Sequence, residues 1–529
     1  MEQKDTKMTA VHSFLGVSNS DPNINGKPCE TGRTYKAEKS IGGGYAAFIA
    51  CEYPPLCLNS HEPHKTDYYV VTQDDIIRNE HGVVASNTIM LNGNVSGTDM
   101  AKAAVGYTTA NALKKVNQYS PDYENSVLSY VCGNGRISQS TGSECHSLAA
   151  NGNGMASIST GQNSTSSAEG THCAAITTGR HGASVVSKGC SVSAVTEECG
   201  ISSAKGAQVA AIATSGNSIA DVRESLESIS AVLHYCSASS ADGEQCVSVS
   251  TGSSSSATAN GESCVSVGTG KSNSAASNGE NSASVTTMMN GRSSASGKSC
   301  ASASTGEKGI SVSKGSSAAS VSTGNKSASF SEGNYGIAAS TGLNSKVSAN
   351  GDCAVAVATQ YEGESTAHGR GTVAVFTSCN GSAKAHGNEC ISAINGSGSI
   401  SSAEGDSCIS AATSSYGSTA TATGDGSAAI TTGDHNESIA TRANSVAIAA
   451  GKLSHAAAGS GAVAVALGND CCASGEKGAW LILVERKETR TPEGTVYTPK
   501  DVKLVYVDGK EIKPNQKYVL VNGKIRSVS

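Results

Sequence analysis

The chain has 529 residues, with 38 Lys and Arg against 44 Asp and Glu, a formal net charge of −6. Gly numbers 60, aromatics make up 4% and charged residues 16%, so large side chains are too scarce for a conventional globular core of this length. What survives is a disordered low-complexity chain or a repeat fold with a thin interior; the charge balance offers no acidic mimic of nucleic acid and no basic stripe to bind one.

The first residues, Met1 to Lys7, are polar and lack the apolar core of a signal peptide. No run of 18 apolar residues occurs, so no membrane span is expected. The reading is a protein made in the cytoplasm, then built into a phage particle or exported by another route. The 18 cysteines are accordingly expected as free thiols.

Residues 1–120 have ordinary composition and are predicted to form a small α+β domain. Tyr45-Ala-Ala-Phe-Ile and Tyr68-Tyr-Val-Val-Thr read as strands, and Met100 to Asn117 as a helix. Cys51, Cys57, His61 and His64 carry the ligand types of a tetrahedral zinc site. The competing reading is a loop with incidental histidines and packed thiols, since the five residues between the cysteines contain Pro54-Pro55. No catalytic triad, phosphate loop or carboxylate pair stands out, so no catalytic or cofactor-binding residue is assigned. A linker is expected over 121–134.

From 135 to 477 the glycines keep a frame. They fall at Gly243, Gly252, Gly261, Gly270 and Gly279, at every ninth residue from Gly297 to Gly351, then at Gly369, Gly387, Gly396 and Gly405. Intervals of 9 and 18 predict a mainly β fold, a long two-sheet parallel β-solenoid with an 18-residue coil made of two nonapeptide arms. Roughly 19 coils at about 4.8 Å each would make a rod of roughly 90 Å.

Residues alternate within each arm, as a strand requires. In the first arm the expected inward pairs are Val247/Val249, Val265/Val267, Ala283/Val285, Ala301/Ala303, Ala319/Val321, Ile337/Ala339, Val355/Val357, Val373/Val375 and Ile391/Ala393. In the second they are Ala257/Ala259, Ala275/Ser277, Val347/Ala349 and Ala383/Ala385. Cys145, Cys173, Cys246, Cys264, Cys300, Cys390 and Cys408 each lie three residues after a glycine and read as small buried thiols. A column from Thr251 through Thr269, Thr287 and onward to Thr377 sits at a corner. It reads as a hydroxyl ladder, with an ice-binding face as the sharper alternative.

On this facing, Ser248, Ser250, Ser266, Ser284 and Ser302 lie outside, making the first-arm exterior a flat Ser/Ala face suited to self-association, a trimer being one such assembly. The second arm carries Lys346, Glu364 and Lys384 outward, with His368 and His386 stacked at a corner. Ile219, Val222, Leu226, Ile229 and Leu233 have helical spacing, yet three arms fit between Gly216 and Gly243, so irregular coils are preferred, with Ile229 and Ala231 inward. From 478 to 529, Trp480-Leu-Ile-Leu-Val, Val502 to Val507 and Tyr518 to Val521, with turns at Asp508-Gly509 and Asn522-Gly523, predict a β-meander cap. Trp480 is expected to cover the last coil.

Asn444-Ser-Val-Ala-Ile-Ala-Ala-Gly and Gly461-Ala-Val-Ala-Val-Ala-Leu-Gly resemble head repeats of trimeric autotransporter adhesins, which are β-rolls. Gly32-Arg-Thr-Tyr, Phe48-Ile-Ala-Cys51-Glu-Tyr-Pro-Pro, Gly478-Ala-Trp-Leu-Ile-Leu-Val-Glu and Val507-Asp-Gly-Lys-Glu-Ile-Lys-Pro are similar to the two ends of phage, prophage and gut-bacterial repeat proteins. That resemblance implies the same three-part layout and a mobile-element setting, and it supplies no activity. The functional expectation is a non-enzymatic structural or interaction protein, a spacer or docking surface for a protein or surface carbohydrate. The alternatives are an enzymatic N-terminal domain displayed on the rod, or ice binding.

Overall fold

The computed structural model describes residues 10–37, 47–59, 65–80, 82–97, 99–107, 128–413, 416–491 and 494–528. It is a parallel β-solenoid of about 20 turns over 128–483, preceded by a small barrel-like domain and followed by antiparallel strands. The chain divides into two units, 1–291 and 292–529.

The glycines set the corners. Gly261 has φ +129°, which L side chains avoid, and a Cβ there would overlap the carbonyl oxygen of Gly243 one coil earlier. The corner backbone is paired between coils: the Gly261 amide donates to Asn278 at 2.7 Å and the Ser263 amide to Glu280 at 2.9 Å. Between corners, short strands pair in parallel with those one coil away, as in Val247↔Val265 and Val249↔Val267. Strand and corner backbone thus bond to the neighbouring coils, which is what lets so thin a structure persist.

The first-arm facing is the reverse of the expectation. In Val247–Ser250 the serines are buried and the valines lie outside, and the same alternation, second and fourth residues buried and first and third outside, holds at Val265–Gly268, Ala283–Thr286, Ala301–Ser304, Ala319–Ser322, Ile337–Ser340, Val355–Ala358, Val373–Phe376 and Ile391–Ile394. At the second position of the arm the serine hydroxyl reaches across, whereas at the fourth Ser250, Ser304, Ser322 and Ser340 Oγ are buried without a hydrogen-bond partner. Ser266 Oγ donates to Ala257 O at 2.7 Å, Ser284 Oγ to Ala275 O at 2.7 Å and Ser392 Oγ to Ala383 O at 2.8 Å, each nine residues back on the facing arm. A buried hydroxyl so bonded costs little; the interior takes larger side chains in places, as at Val186, Val195, Val222 and Val232. The second arm is as expected, with Ala257, Ala259, Ala275, Ser277, Val347, Ala349, Ala383 and Ala385 buried.

The predicted cysteine column is inside: Cys145, Cys173, Cys246, Cys264, Cys300, Cys390 and Cys408 are buried. Cys264 Sγ donates to Gly243 O at 2.9 Å. Ser282, at the equivalent place, bonds Gly261 O at 3.1 Å, so thiol and hydroxyl serve one corner-capping position. Phe376 is the exceptional large residue among these small ones, wholly buried and seated over Gly363 and Gly381, whose added Cβ atoms would meet its ring.

In the first unit the solenoid begins earlier than expected. Leu128–Cys132 pairs in parallel with His146–Ala150, so part of the predicted linker is the first rung; residues 121–127 lie outside the described set. Ile219–Leu226 and Ile229–Val232 are strands, as preferred over a helix, with an irregularity between Val222 and Ser225 that absorbs an extra residue. Ile229 nevertheless points outward, 48% exposed. The N-terminal domain is one antiparallel sheet in the order Thr34–Lys36, Val83–Asn94, Phe48–Cys51, Val11–Ser18, Thr66–Glu80, and the last strand pairs back onto Val83–Asn94. Residues 99–107 are helical; the rest of the predicted helix, and Tyr45, lie outside the described residues.

In the second unit, Trp480–Leu483 pairs in parallel with Val463–Ala466, so the last rung and the first cap strand are one strand, Trp480–Thr491. It forms a hairpin with Gly494–Tyr506, and Lys517–Val521 forms another with Lys524–Val528. Trp480 does not cover the core. Alternation turns it outward, 42% exposed, while Leu481, Leu483, Val507, Tyr518 and Leu520 close the end.

Candidate functional site: an uncharged sheet face

Reversing the first arm changes what the molecule shows to its surroundings. The outer positions of the first-arm sheet in the first unit run Ala156/Ile158, Ala174/Ile176, Val192/Ala194, Ala210/Ile212, Ile229/Ala231, Val247/Val249, Val265/Val267 and Ala283/Val285. In the second unit they run from Ala301/Ala303 through Val355/Val357 and Val373/Val375 to Val463/Val465 and Trp480/Ile482. Every one is Ala, Val, Ile or, at the end, Trp. The register stacks apolar on apolar, identical at Val355↔Val373 and Val357↔Val375 and unlike at Val375↔Ala393. The hairpin strand continues the face: Trp480 lies opposite Tyr506, Ile482 opposite Leu504 and Val484 opposite Val502. Leu504 is 64% and Val502 56% exposed, and the Trp480 and Tyr506 rings lie 5.0 Å apart.

The second-arm sheet differs. In the second unit it shows Arg292, Lys346, Glu364 and Lys384, with Lys384 Nζ 3.4 Å from Glu364. At its corner, His368 and His386 stack at 4.5 Å and 7°, as the sequence suggested, and His386 Nδ1 lies 3.0 Å from Glu404. Burial holds the His368 imidazole below its ordinary pKa, with His386 adding to the effect.

In the first unit one stretch of the second-arm sheet is apolar outside as well, and there it is covered. Val185, Ile201 and Ile219 are buried with Cys57, Leu58, Tyr68 and Met100 of the N-terminal domain, and Tyr53 Oη donates to His181 O. The domain therefore sits on the solenoid through the one outer patch of that sheet built for it.

Of the predicted zinc ligands, Cys51 and Cys57 come together and His61 and His64 lie outside the described residues. Both thiols are buried. Cys57 Sγ donates to Phe14 O at 3.1 Å. The hydrogen bond between the two thiols lowers the Cys51 pKa and raises that of Cys57, which burial raises further. They line a cavity of about 240 Å³ with Phe14, Ile49 and Leu56. Among the described residues no group of three His, Cys, Asp or Glu side chains is placed to hold a metal. The pair fits packed thiols as well as it fits two ligands of an ion. At the other end, a cavity of about 370 Å³ lies between the last coils and the cap, lined by Leu453, Asp470, Glu485, Arg486 and Leu520. Its charges are engaged: Glu485 holds Lys500 Nζ at 2.6 Å and the Gly523 amide at 2.8 Å, and Arg486 bonds the carbonyls of Leu467 and Tyr497.

These features define a β-solenoid repeat protein whose first-arm outer sheet is apolar from Ala156 on and whose second-arm outer sheet mixes polar, charged and apolar rungs. No helix among the described residues is long and apolar enough to cross a membrane. Comparison with family profiles, characterised proteins and solved structures yields no match.

Proposed function

We propose that this chain is a structural interaction protein, in which the solenoid carries the N-terminal domain and its first-arm sheet is a docking surface. The observation that supports this reading is that in each unit the outer positions of the first-arm sheet, from Ala156 on, are uncharged Ala, Val and Ile. Soluble monomers rarely leave a contiguous apolar surface beyond a few hundred Å², and in the second unit the opposite sheet is interrupted by Arg292, Lys346, Glu364 and Lys384. The resemblance of the two ends to phage and prophage repeat proteins supports a phage-associated, adhesin-like setting for such a role.

The test is a pair of variants. Val357→Glu with Val375→Glu places charges on the first-arm face. Ser348→Glu with Thr366→Glu places them on the second-arm face. The first pair is expected to abolish retention on a phenyl-bearing support, or self-association where copies occupy the face, and the second to leave both intact. Equal behaviour of the two variants would remove the docking surface.

A further inference from the structure

We infer that the occupant of the first-arm face is the same face of a second copy of this chain, an inference that rests on the docking reading above. Three observations carry it.

The first is the molecule's own use of apolar outer positions. On the second-arm sheet, Val185, Ile201 and Ile219 face outward where the N-terminal domain covers them. The rungs that follow them in the same unit are small or polar outside, as at Ser256/Thr258 and Ser274/Ala276. Within that unit, outward Val and Ile on this sheet go with a covering layer; in the second unit the outward Ile310, Val312, Phe330 and Ile400 of the same sheet are interrupted by the charged Arg292, Lys346, Glu364 and Lys384. In each unit the first-arm sheet carries Val or Ile on nearly every rung from Ala156 on, without a charged outer position, and no described residue of the N-terminal domain joins its outer columns in a buried cluster.

The second is area. In the second unit the face runs from Ala301–Ser304 to the hairpin strand Gly494–Tyr506. Twelve strands at about 4.8 Å spacing, each about 13 Å across four residues, give a footprint of roughly 700 Å². A stable dimer needs about 800 Å² of accessible surface from each partner, and a corrugated sheet exposes more than its footprint. The exposed Trp480, Leu504 and Tyr506 at one end supply the large anchors that dominate interface energetics.

The third is commensurability. The face offers no charge for an ionic partner, and its backbone groups are spent on neighbouring coils, so strand addition has no purchase along it. It presents Val and Ile bumps at a fixed rung spacing, four residues wide. A surface with the same spacing, the same flatness and no charge to desolvate is provided by another copy, with the two sheets aligned within about 30° as sheet-on-sheet packing prefers. A two-fold arrangement also makes each residue count twice.

The experiment is sedimentation of the full chain at micromolar concentration. Wild type is expected to sediment as a dimer or larger assembly. Val357→Glu/Val375→Glu, which puts unpaired charges into the contact on both copies, is expected to weaken association at least a hundredfold and yield monomer. Ser348→Glu/Thr366→Glu is expected to match wild type. Unchanged far-ultraviolet dichroism and unchanged protection of Cys264 and Cys390 from alkylation show that the variants are folded. A monomeric wild type, or an assembly indifferent to the first-arm glutamates, overturns the pairing of copies. The two readings separate cleanly: a monomer retained on the phenyl support through the first-arm face keeps the docking surface and removes the second copy. A monomer that is not retained removes both.

Discussion

Ser320 and Val321 are neighbours whose exchange of roles can be measured. Ser320 is wholly buried; its hydroxyl donates to Ser311 O at 2.8 Å and accepts from Ser329 Oγ at 2.8 Å. Ser320→Val removes a hydroxyl worth about 1 kcal/mol and forces extra carbon into a filled gap at about 1–3 kcal/mol. The sum, about 3 kcal/mol, accelerates local opening roughly a hundredfold. Val321 is 37% exposed, so Val321→Ser forfeits at most about 1 kcal/mol of burial. Long repeat arrays open locally rather than all at once, so the assay is amide hydrogen exchange read by mass spectrometry on peptides from this region. It is made in the Val357→Glu/Val375→Glu background so that association does not enter. If Val321→Ser loosens these rungs more than Ser320→Val does, the inward-serine account is wrong.

Phe376→Ala should cost about 3–5 kcal/mol, because the ring is completely enclosed beside Gly363 and Gly381, and the loss should appear as exchange confined to the coils around it. His146 is buried against Thr165, with Nδ1 2.6 Å from the hydroxyl, and desolvation lowers its pKa from 6.5 to about 4. The fold therefore keeps this histidine neutral. The contribution is complete above pH 6.5 and is lost as pH falls toward 4, where the unfolded chain takes up a proton the folded one refuses. The loss reaches about 3 kcal/mol at 1.36 kcal/mol per pH unit, and a His146→Gln variant followed from pH 7 to 4 by local exchange should lack it. Cys132, Cys190 and Cys353 are exposed whereas Cys246, Cys264, Cys390 and Cys408 are buried, and burial raises the pKa of Cys264 and Cys408. Brief alkylation of the native protein, read by peptide mapping, should mark the first three and spare the last four.

The glycine frame made the solenoid legible, because only a stacked corner needs an L-forbidden backbone at a fixed period. The second cap hairpin was legible from Asn522-Gly523, whereas the first turns between Thr491 and Gly494, and Asp508-Gly509 lies in the stretch between the two hairpins. The facing of the first arm was misjudged by ranking Val above Ser for the interior, a rule suited to thick cores. The correction was already in the sequence. Cys246 was taken as buried, and a period of two then places Ser248 and Ser250 inside and Val247 and Val249 outside. The candidate docking face was hidden by that one error. Trp480 was misplaced for a related reason: size suggested a lid, but parity with Leu481 and Leu483 turned it out. The seating of the N-terminal domain left a fainter trace, in Val185, Ile201 and Ile219 replacing the small or polar residues usual at those positions.

The corner repeat has a consequence for inheritance. Loss or gain of eighteen residues through slippage between near-identical gene segments removes or adds a whole coil and leaves every column in line. A change of nine keeps the glycines aligned but sends each downstream arm to the opposite sheet, mixing lysines and glutamates into the apolar side. Lineages that need that side intact should differ in length by multiples of eighteen, and not by odd multiples of nine.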